Sequence, residues 1–218
     1  VAELRTEEEQ LEAIKRWWKQ NGTSLIAGVV IAAAGVFGWN TWQDYQASKA
    51  EAASLRYQQL LDLAGRNGLD EPARQRANEL VGEITDEHAK TLYADLARLL
   101  DARLAIDAGD RERARAALET VVEESKRGYL KGLARLRLAR LQLAAGNAET
   151  ALATLEGVPE SLAVLRADVR GDAQHALGHV ELAREAWHHA LTLAEQRDQP
   201  LYGVQLKLDD LGTEEAML

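Results

Sequence analysis

The sequence predicts an all-α chain, one apolar helix near its start followed by stacked helical hairpins, on three observations. No charged residue occurs between Lys19 and Asp44. From Gln43 onward charged residues alternate with Leu and Ala at helical spacing, with almost no strand-like alternation. A glycine-centred turn recurs with small residues at fixed distances on either side. Composition agrees: of the 218 residues 46% are hydrophobic, mostly Ala and Leu, only 5% are aromatic, and three are proline. The chain has no cysteine, which excludes disulfides and thiolate metal sites, and its net charge of −9 opposes a general nucleic-acid binder.

The uncharged run centres on LIAGVVIAAAGVFGW, Leu25 to Trp39. Thr23 to Trp42 would form a helix about 30 Å long, the thickness of a bilayer's hydrocarbon core. Leu25, Ile26, Val29, Val30, Ile31, Val36 and Phe37 together favour insertion by roughly 2 to 4 kcal/mol, partly offset by three glycines. Trp17 and Trp18 bound one end; Trp39, Trp42 and Tyr45 bound the other, as in aromatic belts. The expected division is a cytoplasmic tail at 1–22, a transmembrane helix at 23–43 and a domain on the outer side of the membrane at 44–218. Arg5, Lys15, Arg16 and Lys19 precede the span and only Lys49 and Arg56 follow closely, so the N-terminus is expected inside. A cleaved signal peptide is the competing reading. Against it, the region before the span is over 20 residues long, carries five glutamates and ends in the amphipathic stretch EEEQLEAIKRWWK rather than in a signal's short basic tail. Within the span Gly28, Ala32, Gly35 and Trp39 share one face, where small residues would let another helix approach.

The recurring turns are Gly109-Asp110, Gly146-Asn147 and Gly178-His179. Seven residues before each glycine stand Ala102, Ala139 and Gly171; five after it Ala114, Ala151 and Ala183; nine after it Leu118, Leu155 and Trp187. This is the skeleton of a tetratricopeptide repeat, small where two helices cross and bulky where neighbouring repeats meet. A weaker copy surrounds Gly68, with Ala73 and Ala77 at the same offsets. Asp70, Asp110 and Asn147 stand where a side-chain oxygen can cap the following helix. The spacings between glycines, 41, 37 and 32 residues, are irregular, so the fold expected is a degenerate tetratricopeptide-like α-solenoid. Generic antiparallel hairpins are the alternative. Leu201 to Leu211 reads as a closing helix over the last repeat.

The segments EAIKRWWKQNG, LRADVRGDAQHALGHVELAREAW and LYGVQLKLDDL resemble the YfgM-type ancillary subunit of the Sec translocon, over nearly the whole chain. The resemblance implies a single-pass bacterial inner-membrane protein, its tetratricopeptide-like domain at 44–218 in the periplasm, associated with the Sec protein-conducting channel. It also implies association with a membrane-anchored periplasmic prolyl-isomerase-like chaperone, and a role in handing emerging polypeptides to periplasmic chaperones. It brings no catalytic motif. A membrane-anchored or secreted repeat scaffold in envelope assembly, unrelated to the channel, is the alternative.

Other constellations carry less. His175 and His179 have metal-ligand spacing, but Gly178 between them breaks the helix that would align them. His188 and His189 are adjacent and point apart. No nucleophile motif or phosphate loop accompanies the acids, so no enzyme, cofactor, metal or small-molecule substrate is expected. Between Glu124 and Glu149 there are only basic charges: Lys126, Arg127, Lys131, Arg135, Arg137 and Arg140. Tetratricopeptide repeats line their inner face with the first helix of each hairpin. That register would place Arg103 and Arg140 on the face, with Leu96, Leu99, Leu133 and Leu136 one or two turns earlier as apolar ground for a partner segment carrying a carboxylate. The competing reading pairs each arginine with a neighbouring acid such as Asp107.

Overall fold

The computed structural model describes residues 7–66 and 68–212; Arg5, counted above toward orientation, lies outside them. Among the described residues the helices are α1 (Glu7–Ala64), α2 (Glu71–Glu87), α3 (Leu92–Asp107), α4 (Arg111–Glu124), α5 (Gly128–Ala144), α6 (Ala148–Leu155), α7 (Ala163–Ala176), α8 (Val180–Gln196) and α9 (Val204–Asp210). A 3-10 turn, Glu160–Leu162, precedes α7, and there is no strand among the described residues. The chain forms two units, Val1–Glu51 and Ala52–Leu218.

In the first unit the apolar side chains of α1 face outward. Ile31 is 72% exposed and Phe37 73%, and Leu25, Ile26, Val29, Val30 and Val36 are exposed with them. Large apolar groups left uncovered over this length need a non-aqueous surround. Among the described residues this is the one helix long and apolar enough to cross a membrane.

The second unit is a run of antiparallel hairpins: the Ala52–Ala64 end of α1 with α2, joined through Leu60, Ala64, Ala77 and Ile84 and by Arg56 with Glu83, then α3 with α4, α5 with α6, and α7 with α8. Gly109, Gly146 and Gly178 adopt φ of +81°, +81° and +76°, a left-handed conformation that costs any other residue strain. Each lets the next amide close the preceding helix: Asp110 N donates to Ala105 O at 2.8 Å, Asn147 N to Gln142 O at 2.9 Å and His179 N to Gln174 O at 2.9 Å. These are Schellman closures, and they reverse the chain within two or three residues.

The predicted skeleton fills the hairpin interiors. Ala114, Ala139, Ala151 and Ala183 are wholly buried, Ala102 nearly so, and Leu118, Leu155 and Trp187 pack beside them. At Gly171 even a methyl group would collide with the Trp187 indole. In the first hairpin Ala77 is buried and Ala73 half-buried. Asp70 Oδ1 accepts from Ala73 N and Asp110 Oδ1 from Arg113 N, each at 3.0 Å. Asn147 departs from expectation: it occupies the N-cap position of the eight-residue α6 but makes no side-chain capping bond.

Polar contacts fix the stacking. Buried Asp95 on α3 accepts from Ser125 Oγ at 2.7 Å and Arg127 Nη1 at 2.9 Å, in the α4–α5 turn. Arg113 on α4 pairs with buried Asp101 on α3 and donates to Asn78 Oδ1 on α2 at 2.6 Å. A buried carboxylate tolerates desolvation only with such partners, so each contact holds one register. The closing helix begins at Val204, three residues later than expected, after Gly203 at φ +82°. Val204 and Leu208 bury themselves against Ala183 and Trp187.

Candidate functional site

Partner-binding ground has two candidates, one in each unit. In the second unit it is the strip formed by α3 and α5. Leu99 and Leu136, expected there as apolar ground, are 3% and 1% exposed and belong to the core. Leu99 packs in the cluster with Ala102, Leu118 and Leu130, Leu136 in the cluster with Ala139, Leu155 and Val169. The correction has a simple cause: the first helix of a stacked hairpin is covered both by its own partner helix and by the next hairpin. Leu96 and Leu133 are half-buried and keep part of their surface.

Arg103 and Arg140 are exposed. Arg103 Nε lies 3.8 Å from Asp107 Oδ2, and Arg140 Nη2 lies 3.6 Å from Asp168 Oδ2. The pairing anticipated for Arg103 is therefore present, at long range on an open surface, where such a pair is worth at most about 1 kcal/mol.

Arg137, one of the six basic residues between Glu124 and Glu149, is central to this strip. Its Nη1 donates to Leu99 O on α3 at 2.8 Å, tying α5 to α3. Burial lowers the Arg137 guanidinium below its ordinary value; the Tyr57 hydroxyl opposes this, while Arg103 and Arg140 add to it. Burial likewise raises the Tyr57 phenol, partly countered by Arg137. Tyr57 and Tyr93 rest together with ring centroids 5.8 Å apart. Nothing in the sequence marks it, because helical periodicity places a Cβ, whereas a guanidinium reaches a neighbouring helix.

The rest of the basic run is mostly absorbed. Arg127 serves Asp95, Arg135 Nη1 donates to Gly157 O at 2.6 Å and Lys131 Nζ to Glu123 O at 3.3 Å. Beyond Arg140, Asp168 also accepts from Lys207 Nζ at 2.6 Å, and Asp172 from the same ammonium at 2.5 Å. Burial by itself would lower the Lys207 ammonium, but hydrogen bonds to Asp168 and then Asp172 outweigh it and raise it.

In the first unit Gly28, Ala32, Gly35 and Trp39 do fall on one face of α1, and a methyl group on Gly28 or Gly35 would meet nothing within 4 Å. The same alternation of three and four residues continues toward the N-terminus through Leu25, Asn21, Trp18, Ile14 and Leu11, and forward to Trp42. Leu11, Ile14, Trp18 and Leu25 are all exposed. Sustained 3–4 spacing is what a second helix requires along a shared seam. It was readable in the sequence, but only by ignoring the membrane boundary. The Trp18 ring lies over Gly22, and the Trp39 and Trp42 rings are 5.2 Å apart.

The histidines divide between elements. His175 ends α7 with its ring 5.7 Å from Trp187, and His179 precedes α8 with Nδ1 2.8 Å from Gln174 Oε1. His188 and His189 are exposed on α8.

Glycine-closed hairpins, alanines at the crossings and a bulky residue between neighbours define a tetratricopeptide-like repeat protein, a class that works through surfaces more than through strained reactive sites. The tetratricopeptide repeat-like domain family matches residues 15–213, and the chain belongs to it. The chain is also similar to proteins named ancillary SecYEG translocon subunit. It is 41% identical over 100 residues to that of Aggregatibacter actinomycetemcomitans, 46% of either chain. To that of Haemophilus influenzae it is 34% identical over 99 residues, 45% of this chain and 46% of the other. To that of Escherichia coli it is 40% identical over 52 residues, 24% and 25%. The chain thus matches about half the length of the first two relatives. No solved structure matches it.

Proposed function

We propose that this chain is a non-enzymatic ancillary subunit of the Sec translocon. The observation that carries the reading is its similarity to proteins named for that role. In this reading α1 crosses the bacterial inner membrane once with its N-terminus in the cytoplasm, and the helical repeats stand in the periplasm. The 3–4 seam of α1 meets a helix of the channel. The repeat unit, including Leu96, Leu133, Arg103 and Arg140, holds emerging polypeptides or the membrane-anchored prolyl-isomerase-like chaperone that receives them. The physical support is general. An outward apolar helix needs lipid or another helix around it, and a stack of hairpins offers continuous ground for an extended or helical segment.

Crosslinking in intact membranes, followed by identification of the attached chains, tests the reading. Channel subunits and a periplasmic chaperone are expected. Efficient crosslinking to other membrane proteins, with the channel absent, would overturn it.

A further inference from the structure

The seam between α3 and α5 concentrates positive charge in a chain whose net charge is −9. Arg137 brings its guanidinium to the Leu99 carbonyl. Arg103 stands one turn beyond Leu99 on α3, and Arg140 three residues beyond Arg137 on α5, so both flank that point. Like charges gathered at a partly buried place repel, and little nearby relieves them. The carbonyl gives Arg137 a hydrogen bond but no opposite charge. Asp107 meets Arg103 at 3.8 Å in an exposed pair within one helix. Asp168 meets Arg140 at 3.6 Å, yet is already engaged at 2.6 Å by Lys207. Half-buried Tyr57 lies within electrostatic reach of Arg137, Tyr93 rests against Tyr57, and Leu96 on α3 and Leu133 on α5 are also partly open.

We propose that this seam binds an acidic segment of a partner protein, its carboxylates taken by Arg103, Arg137 and Arg140 and an adjoining apolar side chain resting on Tyr57, Tyr93, Leu96 or Leu133. The inference deepens the adaptor reading and rests on it, because it takes the repeat unit to be a protein-binding surface. Charge complementarity selects the acid, and guanidinium forks suit carboxylates in particular. The flanking aromatic and aliphatic ground favours a peptide over a lipid headgroup, which would leave that ground bare.

The test uses the full chain in phosphatidylcholine nanodiscs and fluorescence anisotropy of a labelled peptide alternating Leu with Glu and Asp. The peptide should bind, less tightly as salt rises. Its counterpart with Gln and Asn should bind about tenfold more weakly or worse, since charge-assisted contacts are lost. The double variant Arg103→Gln/Arg140→Gln should weaken the acidic peptide by about tenfold or more. Arg137→Lys, which keeps the charge but loses the fork, should weaken it with an unchanged circular dichroism spectrum. Equal binding of both peptides, or a folded double variant that binds like wild type, would overturn the proposal. So would phosphatidylglycerol vesicles that displace the peptide and bind more tightly than it does, which assigns the seam to lipid. Co-purification of the channel is measured in parallel. Its absence with wild type would count against the translocon role, whereas failure of the peptide arm alone would count only against the seam.

Discussion

Replacing Gly171 with alanine asks how closely α7 and α8 cross. The added methyl would enter the space of Trp187 Nε1 and Cδ1. The indole has little room to withdraw: it is 3% exposed, its Nε1 donates to Asp168 O and Asp172 Oδ1 at 3.2 Å, and Lys207 Nζ lies 5.6 Å from its ring. Overpacking of this kind costs about 1–3 kcal/mol. Weakening the indole's hydrogen bonds adds about 0.5–1.5 kcal/mol. Removing a glycine from a helix interior returns about 1 kcal/mol. The net expectation is a loss of about 1–3 kcal/mol. Gly82, inside α2, is the control, because a methyl there meets nothing within 4 Å and only the gain of about 1 kcal/mol remains. Thermal melts of the full chain followed by circular dichroism should separate the two variants by about 4 °C or more. Trp187→Phe should shrink the Gly171→Ala penalty, as neighbours that share one space do not add. Should Gly171→Ala melt at or above wild type, the close crossing is refuted.

Gly132→Ala should be destabilising in the same way, because its methyl would strike the rigid Pro159 ring and Leu162; urea midpoints measure this, and no change would refute it. In spheroplasts external protease should digest the chain beyond about Tyr45, and a protected repeat unit would reverse the orientation. Gly28→Leu with Gly35→Leu should lower recovery of the channel in mild detergent at equal expression, since bulk on that face keeps a second helix away. Lys207 has a raised pKa in the fold, so its contribution is complete below the ordinary lysine value of about 10.4 and is lost as pH rises through the higher folded value. Trp187 fluorescence in a variant lacking the other tryptophans should therefore report loosening of α9 only in strong alkali, and Lys207→Gln should loosen it already at neutral pH.

What the sequence disclosed and what it hid follow from the range of each constraint. Gly109, Gly146 and Gly178 were legible because a left-handed turn acts on the residue itself, and Ala114, Ala151 and Ala183 because a crossing tolerates no larger side chain. Leu99 and Leu136 were misplaced because an amphipathic pattern marks one buried face, while a stacked helix hides two. Arg137 could not be singled out from Arg135 or Lys131, since all three are basic on one helix and differ only in which backbone carbonyl each reaches. The crossing of Gly132 with Pro159 joins residues 27 apart and leaves no local pattern to read.

Helix α9 has a consequence for how this chain can change over generations. Each hairpin leaves a face that another hairpin could accept, so such proteins lengthen by duplicating units. Here Val204 and Leu208 occupy that face on the α7–α8 hairpin, and Lys207 is clasped by two acids of α7. A duplicated hairpin added after α9 would find its landing surface taken. One inserted between α8 and α9 would also have to supply a new tryptophan and a new pair of acids before α9 could dock again. The seal makes the repeat number hard to alter, and variation is left to the exposed residues along the stack.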